Sequence, residues 1–155
     1  MVLLEKLLDI TPFNQAIIFT NSVDKAIALS EHLTYILFNP ITIHSGLTQE
    51  QRIENYEKFK ANGSRVLIAT DLFGRGIDIE KVNLVINFDL PFDVERYIHR
   101  IGRAGRFNTR GMVVSFVNEE MSIAEMCRLN DFSKRINCLI ARLPQETEMT
   151  QFFRS

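Results

Sequence analysis

The chain has 155 residues, 46% hydrophobic and 24% charged, which suits one folded domain of ordinary size and excludes a disordered tail or a small disulfide scaffold. Eighteen basic residues against 19 acidic leave a net charge of −1, an average that argues against a nucleic-acid partner. That average conceals a concentration: Arg96, Arg100, Arg103, Arg106 and Arg110 fall within 15 residues holding no Asp, Glu or Lys, a +5 segment in a body of −6.

Apolar clusters and helical stripes alternate along the chain. Residues 2–10 read as a lead-in helix stopped by Thr11-Pro12. A β-rich run at 15–20 follows, and Ser22 caps a helix whose stripe is Val23, Ile27, Leu29, Leu33 and Ile36. A second strand covers 40–44. Thr48 with Gln51 makes a capping box for a helix whose apolar face is Ile53, Tyr56 and Phe59, ended by Asn62-Gly63. Two continuous apolar strands at 65–70 and 82–88 imply a sheet covered on both faces. Pro91-Phe92-Asp93 turns into a helix at 94–101, then come a fifth strand at 111–117, a helix at 119–134 and a last strand near 138–141. Such alternation predicts an α/β fold, a doubly wound parallel sheet with helices on both faces, as a single domain over 1–155.

In sheets of this kind ligands bind beyond the carboxyl ends of the strands. The segments placed there are Asn21-Ser22, His44-Ser45-Gly46 and residues 71–78. Cys127 and Cys138 with His32, His44 and His99 are too scattered for a zinc site, and two cysteines read as reduced thiols of an intracellular protein. No apolar run approaches the ~20 residues of a membrane span, and the first residues lack a signal-peptide pattern.

The segment Gly74-Arg75-Gly76-Ile77-Asp78 follows a strand but fails the dinucleotide fingerprint, because Ile79 stands where the third glycine belongs and no long helix follows. No Gly precedes a Lys, so a P-loop is absent too. Gly74 and Gly76 still permit close backbone approach to a ligand, and Asp78 can accept from sugar hydroxyls; a surface turn capped by Asp78 reads equally well. In His99-Arg100-Ile101-Gly102-Arg103-Ala104-Gly105-Arg106, spacings of three and four put Arg96, His99, Arg100 and Arg103 on one helical face. Like charges repel there unless an anion is bound, and arginine without lysine suits bidentate phosphate recognition; a solvated helix end is the plain alternative.

HRIGRAGR (99–106) resembles motif VI of the DEAD-box ATP-dependent RNA helicases. Other motifs of that family's second, C-terminal RecA-like lobe appear in order: AIIFTNS (16–22), His44-Ser45-Gly46 with Gln49 and Arg52, ATDLFGRGIDI (69–79) and NFDLP (87–91). Leu72-Phe73-Gly74, IEKVN (79–83) and LPQETEMTQFF (143–153) resemble the DECD-box subgroup of spliceosome assembly and mRNA export, from which Asn108 departs.

The resemblance implies specific roles. Arg103 and Arg106 match catalytic arginine fingers that reach the ATP phosphates, with Gly76 and Asp78 beside the nucleotide. His99 and Arg100 match positions that contact the other lobe, and Asn21, Ser22, Gly46, Arg52 and Thr70 match positions on the RNA backbone. Residues alone also allow Thr70 as a strand end, Arg52 as a solvated partner of Glu54 or Glu57, and His44 as a structural residue. ATP and magnesium would be held mainly by a first RecA-like lobe that this chain does not contain, so the lobe alone is expected to be an inactive monomer. The implied setting is a nuclear helicase working with RNA and with splicing or export proteins, and away from membranes. A stand-alone RNA- or protein-binding module, or a DEAD-box helicase of another RNA pathway such as translation initiation, is the alternative.

Overall fold

A computed structural model describes residues 1–71, 79–105, 110–117 and 122–143. The elements run α1 (Val2–Ile10), β1 (Gln15–Thr20), α2 (Val23–Tyr35), β2 (Ile41–Ile43), α3 (Gln49–Lys60), β3 (Val66–Thr70), β4 (Val82–Asn87), α4 (Val94–Ile101), β5 (Met112–Ser115) and α5 (Ser122–Arg135). All five strands are parallel, in the order β2-β3-β1-β4-β5. β1 is central, with Ile18 beside Ile68 of β3 and Ile17 beside Val85 of β4. Every residue of β1 and β3 is buried, which explains their continuous apolar sequences.

Alternate residues of the sheet feed two cores. Ala16, Ile18, Ile68 and Ile86 pack under α1 and α2, which contribute Leu4, Leu7, Leu8, Ala26, Leu29 and Leu33. Ile17, Phe19, Leu67 and Val85 face the other way, against Phe59 of α3. A third cluster joins α4 to α5 through Leu90, Tyr97, Leu129 and Phe132, with the Tyr97 and Phe132 rings 5.2 Å apart. Burial of Tyr97 raises its phenol pKa above the usual value.

The expected caps form. Ser22 accepts from the Lys25 amide at 3.3 Å, and Thr48 with Gln51 closes a reciprocal capping box. At the end of α2 the Leu37 amide bonds to Thr34 and the Phe38 amide to Leu33, which places Leu37 in the left-handed region at φ 70°, where glycine is usual.

Three expectations need correcting. Ile27 and Ile53 are exposed, because the buried stripes of α2 and α3 run through Ala26, Leu29 and Leu33 and through Phe59. No strand forms at 138–141. Asn137 turns with φ 50°, the Cys138 amide bonds back to Ser133, and Ser133 Oγ donates to the Cys138 carbonyl at 2.6 Å. These bonds finish α5, and Ile140 then packs on the α4–α5 cluster instead of extending the sheet. Cys127 and Cys138 are free and exposed, and no helix among the described residues is long and apolar enough to cross a membrane.

Candidate functional site

The carboxyl ends of the central strands and the polar side of α4 enclose an open cleft of about 600 Å³, a size ordinary for a small-ligand site. Ser22, Ser45, Thr70, Asp71, Arg96 and His99 are among its walls. The cleft lies over the ends of the central strands, where β1 is flanked by β3 and β4.

α4 begins at Asp93, whose carboxylate accepts from the Arg96 amide at 2.8 Å and also pairs with the Arg96 guanidinium at 3.2 Å. Arg96 leans towards Asp71 as well, at 3.9 Å. One turn on, Arg100 points inward and is only 1% exposed. Its Nε donates to Asp71 Oδ1 at 2.6 Å, and its two terminal nitrogens donate to the Asp89 carbonyl at 2.7 Å and to Asn21 Oδ1 at 2.8 Å. The guanidinium also lies 5.2 Å from the Phe19 ring centre. The arginine face expected to require an anion is therefore balanced in part from within, by Asp71 and Asp93. Arg103 follows the helix and donates from Nε to the His99 carbonyl at 3.0 Å.

The remaining candidates divide. Asn21 is committed internally: its amide nitrogen donates to the Leu90 carbonyl, its side-chain oxygen accepts from Arg100, and its backbone amide bonds to Asp89. Ser22 caps α2 at the cleft edge. Thr70 Oγ1 is buried at the end of β3 without a hydrogen-bond partner, and so is Arg52 Nε in the first turns of α3. A buried hydroxyl left unbonded is costly, so both atoms are orphans that a ligand or water would satisfy. Gly46 donates its amide to His44 Nδ1 at 3.2 Å. A Cβ at Gly46 would come within 3.1 Å of that ring, so a larger residue there would have to push the His44 ring by a few tenths of an ångström. His44 itself is buried, which lowers its pKa and favours the neutral acceptor form that the Gly46 amide needs. Gly76, Asp78 and Arg106 lie outside the described residues.

Sequence reasoning gave no role to Asp71, Asn87 or Asp89, although each lies in a quoted motif. Asp89 binds Lys25 at 2.6 Å, and Asn87 donates from Nδ2 to Ser115 Oγ at 3.0 Å. The excess of polar residues just after apolar strands, in ATD and NFD, is the signal that marks them. Beyond Arg103, Gly105 takes φ 70° and packs against Gly111, where a Cβ would stand 2.4 Å from the Gly105 nitrogen.

A parallel sheet of this order, with the arginines of α4 facing polar strand ends, is the architecture of a RecA-like lobe. The family model for the helicase conserved C-terminal domain matches residues 1–108, and the chain belongs to that family. It is 46% identical over 147 residues to the ATP-dependent RNA helicase WM6 of Drosophila melanogaster, covering 95% of this chain and 34% of that protein. Identity to the human ATP-dependent RNA helicase DDX39A is 45%, covering 94% and 34% respectively. The structure of Saccharomyces cerevisiae Dbp5 bound to RNA and ADP BeF3 superimposes with a TM-score of 0.87 at 30% identity, over 99% of this chain and 41% of that one. The chain thus spans about a third of the length of the curated relatives. It is the C-terminal RecA-like lobe of the DEAD-box type.

Proposed function

We propose that this lobe serves an ATP-dependent RNA helicase of the DECD-box kind, in the nucleus, acting in mRNA splicing and export. The observation that supports it is the convergence on one cleft of α4, which brings Arg96 and His99 to it and ends two residues before Arg103, and the strand ends that carry Ser22 and Thr70. Arg103 and Arg106 donate charge-assisted hydrogen bonds to the transferring phosphoryl group, supplying positive charge where negative charge spreads in the transition state. Such a finger contributes ~10³–10⁵ in rate, or about 4–7 kcal/mol of barrier.

Among the described residues no three carboxylate, His or Cys side chains gather to hold a metal. In this reading a first RecA-like lobe supplies the magnesium and most of the ATP site, where the metal would neutralise phosphate charge. Asp78 and Gly76 meet the nucleotide from this side. Thr70, Gly46, Arg52 and Ser22 hold the RNA sugar–phosphate chain without reading bases. ATP and RNA both favour the closed pairing of lobes, through His99 at the junction, and so bias one equilibrium.

The test is RNA-stimulated ATPase of the two-lobe protein. Arg103→Ala and Arg106→Ala are expected to lower turnover at least 10³-fold, and the isolated lobe to hydrolyse no ATP. Undiminished turnover in both variants, or ATPase from the lobe alone, rejects the reading.

A further inference from the structure

The pair Asn62-Gly63 ends α3 just before β3 begins, at the opposite end of that strand from the cleft. Local geometry calls for both residues. Asn62 takes φ 65°, a left-handed conformation that asparagine tolerates better than most residues. Its amide bonds to the Phe59 carbonyl at 3.0 Å, and the Gly63 amide bonds to the Lys58 carbonyl at 2.8 Å. These two bonds close the helix and draw Gly63 against Lys58. A Cβ at Gly63 would stand 2.7 Å from Lys58 Cγ and 2.8 Å from the Lys58 carbonyl oxygen, so a side chain there would force the turn apart.

Asparagine followed by glycine is also the pair most open to deamidation, because glycine has no side chain to hinder attack by its nitrogen on the asparagine amide. Asn62 is exposed to water. What stands in the way is the Gly63 N–H, committed to Lys58, and a second set of bonds that holds the turn shut. Gln15, at the start of β1 and 1% exposed, donates from Nε2 to the Phe59 carbonyl at 2.8 Å and to the Ser64 carbonyl at 3.1 Å. Its two acceptors flank Asn62-Gly63. Ser64 Oγ in turn donates to the Asn39 carbonyl at 2.9 Å. The side-chain oxygen of Gln15 is buried without a partner, which is destabilising, so what this residue contributes is the tie across the turn.

We propose that Asn62-Gly63 is a deamidation site that the fold keeps latched, with Gln15 as the latch. When the last turn of α3 opens, the Gly63 nitrogen loses its proton to hydroxide and attacks Asn62 Cγ. A C–N bond forms and the bond from Cγ to the side-chain nitrogen breaks. The leaving nitrogen takes a proton from water and departs as ammonia, which regenerates the hydroxide and leaves a five-membered succinimide. Water then opens the ring at either carbonyl, giving aspartate or isoaspartate, and nothing is oxidised or reduced. Aspartate keeps the backbone path, and the turn closes again. Isoaspartate adds a methylene to the main chain between the amides that bond to Phe59 and Lys58. The turn then cannot close in register, and the open state becomes permanent.

The experiment follows Asn62 in the full-length protein containing this lobe, incubated in mildly alkaline buffer. Mass spectrometry of the tryptic peptide 61–65 detects the exchange of NH2 for OH, and chromatography separates aspartate from isoaspartate. A synthetic peptide of residues 56–66 gives the unlatched rate. The folded protein is expected to react at least ~10-fold more slowly than the peptide, since only the opened turn reacts. Gln15→Leu removes both ties at similar volume and is expected to raise the rate about 10-fold. Leu33→Ala, which opens a cavity in the core under α2, weakens the lobe without touching the turn and is expected to leave the rate unchanged. If Gln15→Leu does not fold, Ser64→Ala, which frees the turn from Asn39, decides in its place. Equal rates in protein and peptide overturn the proposal. So does an unchanged rate in the folded Gln15 or Ser64 variant, or a rise in Leu33→Ala as large as theirs.

Discussion

Gly111 is not itself an expected ligand contact, yet replacing it with alanine should damage catalysis as well as folding. The added carbon would sit 2.4 Å from the Gly105 nitrogen and 2.7 Å from the Ala104 carbonyl carbon, and both are backbone atoms. Ordinary contact needs ~3.5 Å, so the two segments must separate by about 1 Å. β5 is anchored by its pairing with β4, from Leu84 beside Met112 to Asn87 beside Ser115. The turn Arg103-Ala104-Gly105 is held by amide bonds to Arg100 and Ile101 and by Ala104 against the core beside α3, outside the sheet ladder, and it is expected to be the part that moves. Overpacking of this kind costs about 1–3 kcal/mol in stability. A 1 Å misplacement of a catalytic group can cost ~10²-fold in rate, which is about 2.7 kcal/mol of barrier. Denaturant unfolding of the lobe and RNA-stimulated ATPase of the two-lobe protein measure the two effects separately. Gly111→Ala with wild-type turnover would show that the position of the Arg103 turn is irrelevant to catalysis, and would refute the geometric argument.

Leu37→Gly should stabilise the lobe by about 0.5–1 kcal/mol, because a left-handed leucine is strained by ~1–2 kcal/mol and glycine gives back part of this in chain entropy; Leu37 is 84% exposed, so little packing is lost, and chemical denaturation checks the sign. His44 should make the lobe acid-sensitive. Its folded pKa is below the ordinary 6.5, so the stability it contributes is complete above that pH and is lost as pH falls through 6.5 towards the folded value. Melting temperatures between pH 7.5 and 5 should fall for the native chain and fall less for His44→Asn, whose amide oxygen can still accept from Gly46.

Much of the fold can be read from residues because local rules and burial agree. Strands buried on both faces have uninterrupted apolar sequences, and Ser22, Thr48 and Asp93 are placed where helices need acceptors. The reading fails where polarity and direction part company. Ile27 and Ile53 lie one step outside the buried arcs of their helices, and a pattern that counts apolar residues sweeps them in. The 138–141 segment has strand-like residues, but local bonds to Ser133 claim the chain first. Arg100 is the instructive case. Three-and-four spacing shows that it shares a face with Arg96 and Arg103, but it also follows Tyr97 by three, beside the buried arc. Its partners Asp89, Asp71 and Asn21, which lie 11, 29 and 79 residues earlier, decide which way it turns, and separations of that length are invisible to local periodicity. The same holds for the orphaned hydroxyl of Thr70, since a missing partner has no signature in sequence.

The central position of β1 also bears on how the lobe is made. Its six buried residues leave the ribosome well before the strands that cover them: Ile18 meets Ile68, 50 residues later, and Ile17 meets Val85, 68 residues later. At ~5–20 residues per second, roughly 3–14 s pass before β1 has both neighbours. Early in that interval only α1 and α2 are at hand, and they can shield the Ala16 and Ile18 face, whereas the face of Ile17 and Phe19 waits for Phe59 of α3. The nascent lobe therefore exposes a sticky, two-edged ribbon for seconds, and co-translational chaperones are the natural agents to guard it.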